Sequence, residues 1–345
     1  MKSSFNYDAG NQTEDDTLIV NGGIVILWIL SIVTVIGNGL VILVLITETS
    51  FHSKPGYLFI LNLPVADFFI GAFSFPLNTL WLMFGYWPFG EGVCKMWLII
   101  DYTACAVSVC GIILISLDRY WMLTIKLKYR QFQTTKRVTV MILISWAVII
   151  PFYAIPTLFW ENFTGKKIID YSDNCEMESE QSMAYNVIIV FVEFVIPLFI
   201  IIYLNTIVYT QIRHRTRTNP INNNQSLFRV ADNHLSISAG QSITGSTRKH
   251  VNTSINLIKR HRKAAVTLAV LVSAFIVCWT PYCIVLIWSI VCDDCLSDTL
   301  WEFVNYLLWS NSALNPFLYA LTNPKIREVF YKFLGLNYFK QTLGL

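Results

Sequence analysis

Residues 92–124 read GVCKMWLIIDYTACAVSVCGIILISLDRYWMLT. The stretch is long and mostly apolar, yet it carries Asp101 in its first third and Asp118-Arg119-Tyr120 near its end. A membrane-spanning helix needs roughly 17–25 mostly apolar residues. A charge inside such a helix is costly and points to function. With a rise of about 1.5 Å per residue, Asp101 lies roughly 12 Å below Val93, and Arg119 about 27 Å further on the same face. Ser108 falls close to the same line. One stripe is polar from end to end, so it must face the inside of a bundle.

Six further stretches satisfy the same length rule: 22–46, 57–82, 138–159, 184–211, 264–290 and 300–321. Composition agrees with a membrane protein. Of 345 residues, 54% are hydrophobic and 14% charged, against about a quarter charged in soluble domains. The expected architecture is all-α, with seven transmembrane helices over 22–323 and an N-terminal tail over 1–21. Residues 212–260 are polar and rich in Asn, Ser, Thr and Arg, and read as a long flexible loop. After Pro324, the spacing of Ile326, Val329, Phe330, Phe333 and Leu334 predicts an amphipathic helix on the membrane surface, beginning the 324–345 tail. The first apolar run, Ile24 to Ile46, exceeds a signal-peptide core of about 7–15 residues and reads as a retained anchor.

Orientation follows from the bias of Lys and Arg toward cytoplasmic loops. On one side lie only Lys2, Lys95, Lys166 and Lys167 of the 25 Lys and Arg residues. That side, with the N-terminus, is read as extracellular, which gives a multi-pass protein of the plasma membrane. A formal charge of +3 is too small to argue for nucleic acid. Asn11 and Asn162 begin N-x-T tripeptides on the outer side and are expected glycosylation acceptors. Cys94, Cys175, Cys292 and Cys295 also fall outside, where oxidation is allowed. The expected disulfides are Cys94–Cys175 and Cys292–Cys295, with two reduced thiols as the alternative for the second pair. Cys105, Cys110, Cys278 and Cys283 lie in spans.

Three acids within the spans call for a partner. Asp101 and Glu193, on different helices, lie level at roughly 12 Å depth, and no Lys or Arg lies at that depth in any span. A structural protonated Asp101 is one reading; a cation arriving from solution is the other, and the stronger. Glu193 precedes Pro197 by four, so its carbonyl loses a helical partner and the helix can bend there. Its carboxyl either bonds to a neighbouring polar group or contacts the remote end of a ligand. Trp97, Tyr102, Trp279, Tyr282 and Trp309 read singly as packing, but together resemble a cage for an ammonium ion. Asp67, with Ser108, Asn311, Ser312 and Asn315, forms either an oxygen-lined sodium site or a hydrated polar network.

Several landmarks now fall in order: Gly37-Asn38, Leu61-Asn62-Leu63 with Asp67, Asp118-Arg119-Tyr120, Trp146, Pro197, Cys278-Trp279-Thr280-Pro281-Tyr282 and Asn315-Pro316-Phe317-Leu318-Tyr319. Over nearly its whole length the chain resembles the rhodopsin-like (class A) G protein-coupled receptors. Asp101, seven residues after Cys94, resembles the ammonium-binding aspartate of the biogenic-amine group. Glu193, Asn205 and Trp309 are similar to residues of the third and fourth histamine receptor subtypes. Asp101-Tyr102 and the segment from Cys292 to Glu302 are similar to muscarinic acetylcholine receptors. Cys283 departs from that pattern, standing where those receptors carry an asparagine, and Asn305 matches neither group.

The resemblance implies an amine ligand, histamine favoured and acetylcholine or another amine as the alternative. Its pocket would be lined by Asp101, Tyr102, Cys105, Trp97, Glu193, Trp279, Tyr282, Cys283, Asn305 and Trp309. It implies a heterotrimeric G protein on the inner side, reached through Asp118, Arg119, Tyr120, Pro281, Asn315, Pro316 and Tyr319. No cofactor is expected beyond a sodium ion. At the inner end of span six, His261 stands where many relatives carry an acid that restrains Arg119, which predicts raised ligand-independent signalling. A transporter is the rival class, but neither duplicated halves nor broken helices are evident. No HExxH motif or nucleophile–base pair marks an enzyme.

Overall fold

The computed structural model describes residues 14–52, 55–125, 128–217, 245–292 and 296–333. Among the described residues, six helices are long and apolar enough to cross a membrane. They are α1 (Gly22–Thr47), α2 (Tyr57–Phe84), α3 (Gly90–Thr124), α4 (Thr135–Thr164), α5 (Met183–His214) and α6 (Val266–Ser289). The seventh, α7 (Asp298–Thr322), has the length but is more polar. Its polar side chains explain the difference: Asn311, Ser312 and Asn315 are all buried against the other helices rather than turned to lipid. A short α8 (Pro324–Phe333) follows, with Ile326 buried and Lys325 and Phe333 exposed.

The long polar connection is shorter than its composition suggests. The helix of α5 continues to Arg217, and that of α6 begins at Gly245. Residues 212–217 and 245–260 are therefore helical, not loop. The side chains of 215–265, His261 among them, lie outside the described residues, as do Asn11 and Cys295.

The helices pack in sequence around the bundle, with α1 against α2 and α7, and α6 against α5 and α7, while α3 touches α2, α4, α5 and α6. In its most apolar window α3 is 61% buried, against 17% for α4. The polar stripe of α3 is thus central, while α4 turns Leu143, Ile144 and Val148 outward. Such an apolar exterior suits hydrocarbon, not water. Close approach of helices requires small residues: a Cβ on Gly37 would come within 2.8 Å of Pro316 on α7.

Two helices carry a π-helical turn beneath a proline. In α2 it spans Ile70–Ser74, with the Phe75 N–H bonded to the Ile70 carbonyl; in α5 it spans Phe191–Val195, with the Ile196 N–H bonded to the Phe191 carbonyl. Pro76 and Pro197 have no N–H to offer the preceding turn. The chain responds by widening one turn, which rotates the residues within it. Glu193 sits in one such turn and Ser74 in the other, both buried. The bend expected at Glu193 is realised as this turn.

Candidate ligand site

The Cys94–Cys175 disulfide joins the top of α3 to the loop between α4 and α5, with Cα atoms 5.5 Å apart. Cys292 is also disulfide-bonded. Just after Cys175, the 3₁₀ turn Glu178–Gln181 lies over the outer half of the bundle. Asn186 on α5 donates to the Glu180 carbonyl at 2.8 Å.

Asp101 stands on the inward face of α3, half-buried. Its polar neighbours are Ser74 from the π turn of α2 and the Trp309 indole of α7. Its Oδ1 is buried without a hydrogen-bond partner, a state that costs free energy until something fills it. Cys105, about one helical turn deeper on α3, is buried and also meets Trp309. Trp309 is held edge-on by Phe75 and Tyr306, with centroids 5.6 and 5.5 Å away.

Glu193 lies across the site on α5 and accepts a hydrogen bond from the Tyr153 hydroxyl of α4. Tyr153 stacks on Tyr102 at 5.6 Å and 27°, and the Tyr102 hydroxyl donates to Glu180 in the loop. Two carboxylates are thus joined through a pair of stacked tyrosines. Tyr153 and Glu180 carry no signal in the sequence: a single Tyr on a lipid-rich helix reads as packing, and a loop glutamate reads as solvated. Ser74 was equally hidden, because an ideal helix does not show which way a π turn will point it.

The structure divides the expected aromatic cage. Trp97 stacks on Trp87 at 5.3 Å and meets Trp81 edge-on at 6.2 Å, above Asp101. Trp279 rests on Phe275, which reaches Phe194 of α5. Tyr282 lies where the charges of Asp101, Glu180 and Glu193 all act on it, and Cys283 is buried near Glu193. Asn305 is half-buried on α7. Tyr102, Tyr153, Tyr282 and Trp309 have contacts or charge interactions with the acids themselves.

Deeper in the bundle, Asp67 is saturated. Its Oδ1 accepts from Ser108 at 3.1 Å and Ser312 at 2.8 Å, and its Oδ2 from Asn315 at 2.6 Å. On the same helix as Ser312 and Asn315, the Asn311 Oδ1 is buried without a partner. One carboxylate, two hydroxyls and an orphaned amide oxygen form an all-oxygen set, the kind a hard cation takes.

At the inner end, Asp118 accepts from the Tyr129 hydroxyl at 2.6 Å and from Gln133 at 3.1 Å. Arg119 lies at the edge of ion pairing, 4.0 Å from Asp118. The connection between α3 and α4 thus holds Asp118 more closely than its neighbour does. Tyr319 is buried, Tyr120 half-buried, and Pro281 and Pro316 lie within α6 and α7.

Comparison with known proteins shows the family. Residues 37–319 match the 7 transmembrane receptor (rhodopsin family). The 5-hydroxytryptamine receptor 1B of Didelphis virginiana is 28% identical over 335 residues, covering 89% of this chain and 84% of that protein. Those of Mus musculus and Homo sapiens are 27% identical, covering 90% of this chain and 86% and 85% of theirs. The chain belongs to the rhodopsin family of seven-transmembrane receptors, the class A G protein-coupled receptors, and stands there beside receptors for a biogenic amine, not among enzymes.

Proposed function

We propose that the receptor binds a small cationic amine bearing a hydrogen-bond donor at the end remote from its ammonium. The observation that carries this reading is the buried, unpartnered Oδ1 of Asp101. An ammonium ion placed there gains a charge-assisted hydrogen bond and relieves an orphaned acceptor. Tyr102, Tyr282 and Trp309 add cation–π attraction. Glu193, across the site, accepts from the remote donor.

Histamine fits that description, with an ammonium for Asp101 and a ring N–H for Glu193. A second reading is 5-hydroxytryptamine, favoured by the names of the relatives, and it too carries donors at its far end. Acetylcholine offers Glu193 none.

The mechanism follows from differential binding: an agonist favours the packing it binds better. An amine drawn between Asp101 and Glu193 pulls α5 inward at its π turn and repacks Phe194, Phe275 and Trp279. With Pro281 as hinge, the inner end of α6 swings outward and opens a cleft for the heterotrimeric G protein. Pro316 and Tyr319 shift alongside, and Arg119 turns toward that cleft. Asp67, Ser108 and Ser312, with Asn311 and Asn315, would hold a sodium ion, which would supply positive charge beside the buried carboxylate. The N-terminus faces the extracellular side of the plasma membrane, with Asn11 and the exposed Asn162 as glycan acceptors. His261 in place of an acid raises basal output; output equal to a relative that keeps the acid would refute that.

The test is an amine panel on cells expressing the chain, read for both cAMP and calcium. Asp101→Ala abolishes the response if the reading holds. Unchanged agonist potency in that variant overturns it.

A further inference from the structure

The amine reading uses two carboxylates, but a third is linked to them through Tyr102 and Tyr153 in the outer half of the bundle. The third is Glu180, half-buried on the loop turn Glu178–Gln181. It is held from two sides, by the Tyr102 hydroxyl at its carboxylate and by Asn186 at its backbone carbonyl. The nearby Cys94–Cys175 disulfide ties the same loop to α3. The charge of Asp101 acts on it, and those of Glu180, Asp101 and Glu193 all act on Tyr282. A loop acid that merely faced solvent would not be positioned in this way.

A metal centre does not explain the cluster. Among the described residues, no three His, Cys, Asp or Glu side chains stand close enough to share a metal ion. Among the described residues, the ion-paired lysines do not serve it. The lysines paired in the described residues serve acids elsewhere: Lys95 and Lys167 hold Glu91, Lys325 holds Glu48, and Lys332 holds Glu328. Like charges drawn together out of water repel, and each loses hydration. One ammonium compensates only one of the three.

We propose that Glu180 is a third ligand contact, and that the site selects diamines, molecules with a second nitrogen cation beyond the one held by Asp101. This rests on the amine reading and adds to it a residue and a ligand class. The stacked rings of Tyr102 and Tyr153 form an apolar wall for the chain joining the two nitrogens. Tyr102 contributes its ring to that wall and its hydroxyl to Glu180.

The experiment compares n-alkylamines with α,ω-diaminoalkanes of equal carbon number, three to five, on the purified full-length receptor. Binding is read as ligand-induced stabilisation against heat. The expected half-saturating concentration is about tenfold lower for the diamine, the scale of one partly exposed charge pair. Glu180→Gln, which keeps an acceptor for Tyr102, erases that preference and moves the monoamine less than about twofold. Should Glu180→Gln melt lower without ligand, Glu180→Asp must restore the preference. Equal affinity of the paired amines for the parent receptor overturns the proposal, as does an equal shift of both in Glu180→Gln or failure of the Asp variant. Asp101→Ala separates the two layers. Loss of all binding there upholds the amine site whatever Glu180 does, and its absence removes both.

Discussion

Asp67 and Asp101 are both acids within one bundle, and their surroundings differ completely. Asp67 receives three hydrogen bonds, from α3 and α7. Asp101, on the most buried helix, keeps one oxygen unpartnered. A buried polar group is tolerated when satisfied and costly when not. The satisfied aspartate ties helices together; the other keeps an acceptor oxygen without a partner. Residue type alone would not separate them.

That difference can be attacked with paired substitutions. Asp67→Ala strands three buried donors, at about 1–3 kcal/mol each. The expected result is a melting temperature lowered by many degrees. Asp101→Ala gives up the contacts with Ser74 and Trp309 but also removes an unpartnered acceptor, so the ligand-free melting temperature moves less than in Asp67→Ala, while amine potency falls at least about a hundredfold, as when one partner of a buried charge pair is deleted. A melting temperature lowered equally in both variants would erase the contrast.

Smaller effects sharpen it. Glu193→Gln weakens histamine by about tenfold, because a charged acceptor becomes neutral, and leaves acetylcholine nearly unchanged; parallel dose–response curves check this. Tyr153→Phe removes one hydroxyl from Glu193 and costs about 1 kcal/mol, read as a severalfold change in histamine affinity.

The smallest effect is one of pH. Burial pushes the Glu180 carboxyl up to about 7, against the lowering effect of the Tyr102 hydrogen bond. Asp101 and Glu176 also act on it, and Tyr282 lies within reach of its charge. As pH falls from 8 to 6, Glu180 takes up a proton, loses its charge and binds a second cation less well. Diamine affinity should drop severalfold over that interval. Glu180→Gln should remove the part of the slope that distinguishes diamine from monoamine. A slope unchanged by that substitution would count against Glu180 as the titrating group.

Much of the architecture was legible because a membrane imposes one simple length rule. The apolar runs agree with the spans of α1 to α6 to within about five residues, although the first helix already begins at Glu14, within the expected tail, and the fifth and sixth run on to Arg217 and from Gly245. Asp101 stood out because a lone acid in an apolar run has no cheap explanation. The errors have physical causes. Residues 245–260 are polar and helical, since a helix emerging into water needs no apolar content to continue. Spacing placed Trp97 and Trp279 near the site but did not show that Trp87 and Phe275 pack against them. Tyr153, Glu180 and Ser74 escaped notice because their roles arise from contacts between distant segments and from π turns, neither of which leaves a period in the sequence.

The most direct measurement is an experimental structure of the receptor with histamine or 5-hydroxytryptamine bound. The ligand ammonium is expected within about 3 Å of the Asp101 carboxylate, the separation of a charge-assisted hydrogen bond, with the remote donor turned toward Glu193. An ammonium seated elsewhere, or an Asp101 side chain turned to lipid or paired with a basic residue of the chain, would contradict the account.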